Sequence, residues 1–327
     1  MKRRTFVSLA ASGLPVWLTA CGKRSALTAS GQRIVRFGHF PNITHVHGLV
    51  AHQLSRQGKG WFESRLGTEI QWYVYNAGPS ATEAIFAGAL DVTYIGPSPV
   101  LNAYAKSKGR EMRVLAGAAN GGAALVVRPD AGIAKGADFR GKKIATPQLG
   151  NTQDVQARVW LTEQGLRVTQ TGGDAFVIPT ANADQLSLFQ NKALDAVWTV
   201  EPWVTRLETE AGGRIFLEDR DTSVTMLAAR SGFVQESAEI TRSLAKAHRE
   251  LTEWIKKNAA EAKTLVKAEL TELMGSEPKD DLINRAWDRI VITDEISRAG
   301  LEKMVSGAEK LGFLRDMPNL DGLLAPV

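Results

Sequence analysis

The sequence predicts an α/β protein of two lobes, each a mixed sheet flanked by helices, with a ligand cleft between the lobes. Three observations predict it. The chain has 327 residues, and about 300 remain after an N-terminal leader, more than one core usually fills. Short apolar β-type runs alternate with helical patterns along it. One phrase also occurs twice. "ALDVTYIGPSPV" at 89–100 and "ALDAVWTVEPWV" at 193–204 both run Ala-Leu-Asp, an apolar stretch, a Pro-containing break and Val.

Residues 1–20 read as a secretory signal, because Lys2, Arg3 and Arg4 precede an apolar run and a small-residue cleavage site. Leu18-Thr19-Ala20-Cys21 resembles a bacterial lipobox, in which the Cys becomes the first mature residue and carries lipid. The alternative is an ordinary signal with a chance Cys. Cys21 is the only cysteine, so a lipid there leaves none for disulfides, thiolate metal ligands or a nucleophile. Arg3-Arg4-x-Phe6-Val7 is weakly like a twin-arginine export signal. No second long apolar run follows, so no membrane span is expected after processing. Residues 21–32 form a lipid-anchored tether. Of the formal charge of +5, three positive charges lie in the leader. No Lys/Arg cluster interleaved with aromatics appears, so nucleic acid is not an expected partner.

The elements follow in order. "RIVRFGHF" (33–40) is a strand that breaks at Pro41, and "THVHGLVAHQLSRQGKGWF" carries Val46, Leu49, Val50 and Leu54 at helical spacing. "EIQWYVYN" is a strand. "SATEAIFAGA" is a short helix with Ser80 and Glu83 spaced as a capping box. "LDVTYIG" is a strand, "SPVLNAYAKSKG" a helix and "MRVLAGA" (112–118) a strand. Asn120-Gly121-Gly122 breaks the following run as a hinge or crossover. The order then repeats: strand "KKIATPQ", helix "TQDVQARVWLTEQG", strand "DAFVIPT", helix "NADQLSLFQNKA", strand "LDAVWTV", helix "PWVTRLETEAGG", strand "RIFLED". The opening units echo each other too. "VRFGHFPNITHV" (35–46) and "IATPQLGNTQDV" (144–155) align Asn42 with Asn151 and Val46 with Val155.

Two lobes of one plan explain the repetition. In open α/β sheets ligands sit beyond the C-terminal ends of strands, which brings four strand-to-helix loops to one cleft: Pro41–His45, Gly96–Ser98, Gly150–Gln153 and Glu201–Trp203. Helix N-termini hold anions through unpaired N–H groups and a partial positive charge. The candidate ligand-binding residues are Asn42, Thr44, His45, Gly96, Pro97, Ser98, Asn120, Gly150, Asn151, Thr152, Gln153, Glu201 and Trp203. The competing account is that Asn42, Ser98, Asn151 and Thr152 are helix caps only, as those residue types favour. Glu201 does not suit a bare anion. It suits a ligand with an amine or hydroxyl, or a cap on the helix starting at Pro202. Trp203 offers an aromatic wall, or packing.

"FGHFPNITHV", "DVTYIGPSPV", "ATPQLGNTQDVQARVWL" and "AVWTVEPWVTRL", together with the lipobox, resemble the periplasmic substrate-binding proteins of ABC importers, specifically the sulfonate/taurine/nitrate-type family. The resemblance covers nearly the whole mature chain. It implies the two-lobe periplasmic-binding-protein fold (type II), with two crossovers between lobes. The expected division is 33–118 plus 224–327 for the first lobe and 119–223 for the second. The chain returns near "RIFLEDRDTSVTMLAAR", and the charged helical remainder, "EITRSLAKAHRELTEWIKKNAAEAKTLVKAELTEL" included, packs on the first lobe.

Three rivals stand beside that reading. One is an enzyme on the same fold, desulfinase-like or thiamine-pyrimidine-related. Such chemistry leans on a reactive Cys or His ligands, and no Ser-His or HExxH signature appears. The second is a metal-binding protein using His39, His45, His47 and His52, but no Asp/Glu cluster joins them in the sequence, and a loop His donating a hydrogen bond is the plainer role. The third is a sensor without transport. The expectation is a non-enzymatic binding lipoprotein without metal or cofactor, monomeric, periplasmic or cell-surface and held to the membrane by lipid. It captures a small anionic or zwitterionic organic ligand, sulfonates first and nitrate less so, and delivers it to an ABC-importer permease.

Overall fold

The computed structural model describes residues 33–170 and 172–326, with Leu27 and Gly31. The leader and Cys21 lie outside the described residues. The chain runs β1 (Val35–His39), a 3₁₀ turn (Ile43–His45), α1 (Val46–Arg56), α2 (Trp61–Leu66), β2 (Ile70–Val74), α3 (Gly78–Phe86), β3 (Val92–Ile95), α4 (Pro97–Lys106) and β4 (Met112–Gly121). It continues through β5 (Ala123–Val127), β6 (Lys143–Thr146), α5 (Thr152–Glu163), the short pair β7 (Val168–Thr169) and β8 (Gly172–Gly173), β9 (Phe176–Pro179), α6 (Asn182–Gln190), β10 (Ala196–Val200), α7 (Trp203–Ala211) and β11 (Arg214–Glu218). It closes with β12 (Ser223–Arg230), α8 (Ser231–Glu236), α9 (Ala238–Lys257), α10 (Ala259–Met274), α11 (Asp280–Arg289), β13 (Ile290–Ile292) and α12 (Arg298–Lys310). No described helix is long and apolar enough to cross a membrane.

The first sheet has the order β13-β4-β12-β3-β1-β2 and the second β11-β5-β10-β6-β9. Each holds three parallel strands, β2-β1-β3 and β9-β6-β10. The next strand in each, β12 or β5, runs antiparallel and belongs to the chain just after it has crossed from the other sheet. The repeated phrase therefore supplies β3 and β10, the strands that pair with the incoming crossover. Its Asp is structural in both copies. Asp91 Oδ2 accepts the Arg36 amide of β1 at 3.2 Å, and Asp195 Oδ2 accepts the Lys143 amide of β6 at 2.9 Å. An arginine at the end of the crossing strand completes each set: Arg230 reaches Asp91 at 3.4 Å and Arg128 reaches Asp195 at 3.2 Å.

Apolar cores cover both faces of each sheet. In the first lobe Phe37, Leu49, Tyr94, Leu251 and Val266 lie under α1, α9 and α10, while Ile85, Leu101, Tyr104 and Leu301 lie under α3, α4 and α12. Of the C-terminal helices, α9, α10 and α12 cover these clusters, while Arg289 at the end of α11 reaches Glu208 of α7 and Glu218 of β11. A small cluster of Ala119, Ala123, Val200, Trp203 and Val224 sits at the crossovers.

Three elements differ from the sequence reading. The apolar run after Gly122 is β5, flanked by β10 and β11 in the middle of the second sheet. Ile290–Ile292 adds β13 to the outer edge of the first. The Ser80–Glu83 capping box does not form, because α3 begins earlier at Gly78 with Pro79 in its first turn and Ala77 before it. The Ser80 hydroxyl instead meets the Gln148 side chain at 3.3 Å, across the cleft.

Candidate ligand cleft

The C-terminal ends of β1, β2 and β3 in one lobe and of β6, β9 and β10 in the other face each other. Between them lies a cavity with about 350 Å³ of empty volume, its mouth included. The starts of α3, α4, α5 and α6 and the 3₁₀ turn before α1 all contribute to its wall, through Gly78, Gly96, Thr152, Asn182 and Thr44. Among the described residues that line it there is no Asp, Glu, Lys or Arg. Any anion held there would be held by amides, hydroxyls and helix N-termini, which favour negative charge without a counter-cation.

Of the residues singled out in the sequence, Asn42, Thr44, His45, Gly96, Asn151, Thr152 and Gln153 line the cavity. His45 is buried against Phe40, with ring centroids 4.2 Å apart. Burial, and then His39 nearby, holds its pKa well below the ordinary value, so it is neutral, and its Nδ1 has no hydrogen-bond partner among the described residues. Gln153 Oε1 accepts from Asn151 Nδ2 at 3.1 Å, which turns its own amide nitrogen outward from that pair.

The lobes touch across the cavity. Trp203 Nε1 donates to Asn42 Oδ1 at 3.0 Å, and Asn182 Nδ2 lies 3.4 Å from the same oxygen. The Ile43 amide donates to the Glu201 carbonyl at 2.8 Å, and Asn76 Nδ2 donates to the Pro147 carbonyl at 3.3 Å. At Gly96 an added Cβ would overlap the Thr152 hydroxyl. A glycine there lets the α4 start approach α5 of the other lobe.

The other candidates do not reach the wall. Glu201 is fully buried, and its carboxylate accepts from the Thr205 amide at 3.1 Å and hydroxyl at 2.9 Å, capping α7 from behind. Arg289 Nε lies 3.2 Å from it, while the same guanidinium also reaches Glu208 and Glu218. Burial raises the Glu201 pKa to about 7, against the hydrogen bonds from Thr205 and the charge of Arg289. The expectation of a carboxylate selecting amine ligands from inside the cleft is therefore corrected, since its oxygens are taken up by the helix and the arginine. Trp203 touches Asn42 but presents no aromatic wall. Asn120 pairs within the sheet with Ser223 and Val291. Pro97 starts α4 and is buried, and Pro99 lines the cavity instead. Ser98 faces a neighbouring hollow. The Gly150 amide is bound by Asp154 Oδ2 at 2.9 Å and is not free for ligand. Asn151 does cap α5, its Oδ1 accepting the Asp154 amide at 2.8 Å.

Asn76 and Asn182 are wall residues that the sequence reading omits. Asn76 lies in the loop from β2 to α3 and Asn182 is the first residue of α6 after β9, and the strand-end rule applied to every such junction finds them. The histidines separate. His45 faces the cavity, and His47 is buried with its Nε2 2.9 Å from the Thr252 hydroxyl. His39 and His52 meet Glu269 of α10 elsewhere in the first lobe. The absence of a joining carboxylate holds along the sequence near these histidines but not in space.

Comparison with known proteins agrees with this geometry. Residues 28–269 match the NMT1-like family. The chain is 25% identical over 298 residues to a Bacillus subtilis (strain 168) protein named for binding aliphatic sulfonates, covering 87% of this chain and 84% of that one. It is 23% identical over 239 residues to the taurine-binding periplasmic protein of Escherichia coli K12, covering 69% and 70%. Its fold is similar to that of the alkanesulfonate-binding protein from Xanthomonas axonopodis pv. citri bound to MOPS, with a TM-score of 0.71 and 17% identity over 92% of this chain and 99% of that one. These relatives are binding proteins, not enzymes.

Proposed function

This chain belongs to the NMT1-like family, and on that premise we propose that it captures a small organic anion, a sulfonate first, between its two lobes and delivers it to an ABC importer. The observation that carries this is the interlobe cavity, in whose wall amides and hydroxyls alternate with apolar groups, free of charged side chains and ringed by helix starts. Sulfonate oxygens accept hydrogen bonds in several directions and need no proton on the protein. In this reading Asn42, Thr44, His45, Asn76, Thr152, Gln153 and Asn182 hold the anionic group. A second hollow, about 1420 Å³ with the open solvent at its mouth included, shares Val224 with the cavity and is bordered by Trp160, Trp198 and Met304. Room of that kind beside the polar cavity favours an organic anion over nitrate.

The reading includes a first lobe of 33–118 with 224–327 and a second of 119–223 that close on ligand, with the closed shape being what the permease recognises. It also includes lipid attachment at Cys21 and a monomer working outside the cytoplasmic membrane. Thermal melting of the lipid-free protein with alkanesulfonates, taurine, nitrate, bicarbonate and pyrimidines tests the ligand class, because a ligand bound only by the folded state raises the melting point by mass action. A sulfonate should give the largest rise. No rise with any sulfonate, beside a clear rise with a pyrimidine or nitrate, would overturn it. Cys21→Ser should release the protein from membranes, and unchanged detergent partitioning would remove the anchor.

A further inference from the structure

We propose that His39, His52 and Glu269 form a zinc site inside the first lobe, apart from the ligand cleft. The three come from three elements: the end of β1, the middle of α1 and α10 from the far end of the chain. His39 and Glu269 are fully buried and His52 nearly so. His39 Nε2 lies 2.9 Å from His52 Nδ1, which lies 2.7 Å from Glu269 Oε1, and each residue offers one ligand atom within 4.8 Å of the others.

Hydrogen-bond accounting points to a cation. His52 Nδ1 carries at most one proton, yet it faces two atoms that can each accept one. With its proton given to Glu269, the bare Nε2 of His39 faces an N–H already spent on the carboxylate. With the proton on His39 instead, the lone pair of His52 faces a carboxylate. A divalent ion shared by all three removes the conflict, because each would contribute a lone pair. Two imidazoles and a carboxylate suit zinc, which binds such nitrogens at about 2.0–2.1 Å with one position left open. Tetrahedral donors at that radius stand about 3.4 Å apart, so the observed spacing needs to widen by about half an ångström.

The surroundings hold the ligands in aim. His39 Nδ1 faces the Phe40 carbonyl at 3.4 Å, which favours its proton there and leaves Nε2 bare. Arg56 Nε donates to the other carboxylate oxygen, Glu269 Oε2, at 2.9 Å. Trp72 stacks on His52, centroids 5.0 Å apart, and meets His39 edge-on at 5.7 Å. At Gly48 a Cβ would come within 2.6 Å of His39 Cβ, so glycine is what lets α1 lie close enough on β1 to bring His52 over His39. The partly exposed Arg56, with 40% of its side chain accessible, marks the route from solvent. Phe40, next to His39, lines the ligand cavity. The ion would therefore pin the strand end that carries the cavity wall to the C-terminal helices.

The test uses untagged full-length protein, stripped with chelator and dialysed against zinc, then measured by elemental analysis and thermal melting. One zinc per chain and a rise in melting temperature are expected. His52→Ala and Glu269→Gln, each checked by circular dichroism to be folded, should lose both. Cobalt in place of zinc should give the visible absorption of a low-symmetry site in wild type only. Less than about a tenth of an equivalent in wild type, or equal zinc in wild type and both folded variants, would overturn the site. Should one variant fail to fold, the other and the cobalt spectrum decide.

Discussion

Asp91 and Asp195 hold the same place in the two lobes and differ in burial. Each accepts the amide of the neighbouring parallel strand, each gives its own amide to that strand's carbonyl, and each meets an arginine of the crossing strand. Asp91 is 1% exposed and also grips the Arg36 guanidinium at 2.8 and 2.7 Å, whereas 21% of the Asp195 side chain meets solvent. Burial alone would raise the Asp91 pKa, but the Arg36 hydrogen bonds outweigh it and hold the carboxyl below its ordinary value. The duplicated frame therefore keeps its backbone logic while the energy at stake follows solvent access.

The largest expected effect breaks the buried copy. Asp91→Asn leaves Arg36 and Arg230 without their carboxylate and should cost about 3–5 kcal/mol, read from urea unfolding. The next lies at the break of the phrase, where Pro97 of one copy aligns with Glu201 of the other. The folded-state pKa of Glu201, about 7, lies above its ordinary value, so the folded chain keeps a proton that the unfolded chain releases from about pH 4.5 upward. This group's contribution is most favourable below about pH 4.5. It falls as pH rises to about 7 and then levels, a loss of roughly 3–4 kcal/mol. Unfolding curves between pH 4.5 and 8 should show the decline in wild type and not in Glu201→Gln, and a decline of equal size in both would contradict the assignment.

The aligned asparagines sharpen the comparison further. Asn42 accepts across the cleft from Trp203, whereas Asn151 caps its own helix. Asn42→Ala should weaken ligand binding by about 1–2 kcal/mol with little change in the ligand-free melting point. Asn151→Ala should lower stability by about 1 kcal/mol with a smaller change in affinity. Calorimetric titration and melting of both variants would reveal a reversed pattern. The smallest effect is expected at Asp195→Asn, about 1 kcal/mol or less, because this pair is partly open to solvent and water replaces part of what it loses.

Most of the frame was legible because β1, β3, β6 and β10 are apolar runs ending in Pro, Gly or Asn breaks, and because duplication let each lobe check the other. β5 was hidden by its continuity with β4, since only Gly122 separates them and neither shows period-two alternation when both faces are buried. Seven cavity residues followed from the strand-end rule. Glu201 did not, because a sequence position at a loop does not say which way its side chain points. The partnership of His39 and His52 with Glu269 was invisible for another reason. The carboxylate arrives on a helix near the other end of the chain, and only tertiary packing brings it there.

The two sheets also differ in where their strands come from. All five strands of the second lie within one contiguous stretch, 123–218, whereas the first needs β12 between β3 and β4. A chain that emerges from its N-terminus therefore delivers β3 and β4 long before the strand that joins them. The second lobe can assemble as soon as Glu218 has passed, while the first, begun earlier, waits with two strand edges open. The lobe that is made first is completed last. Its most aggregation-exposed interval therefore falls between the arrival of residue 121 and that of residue 230.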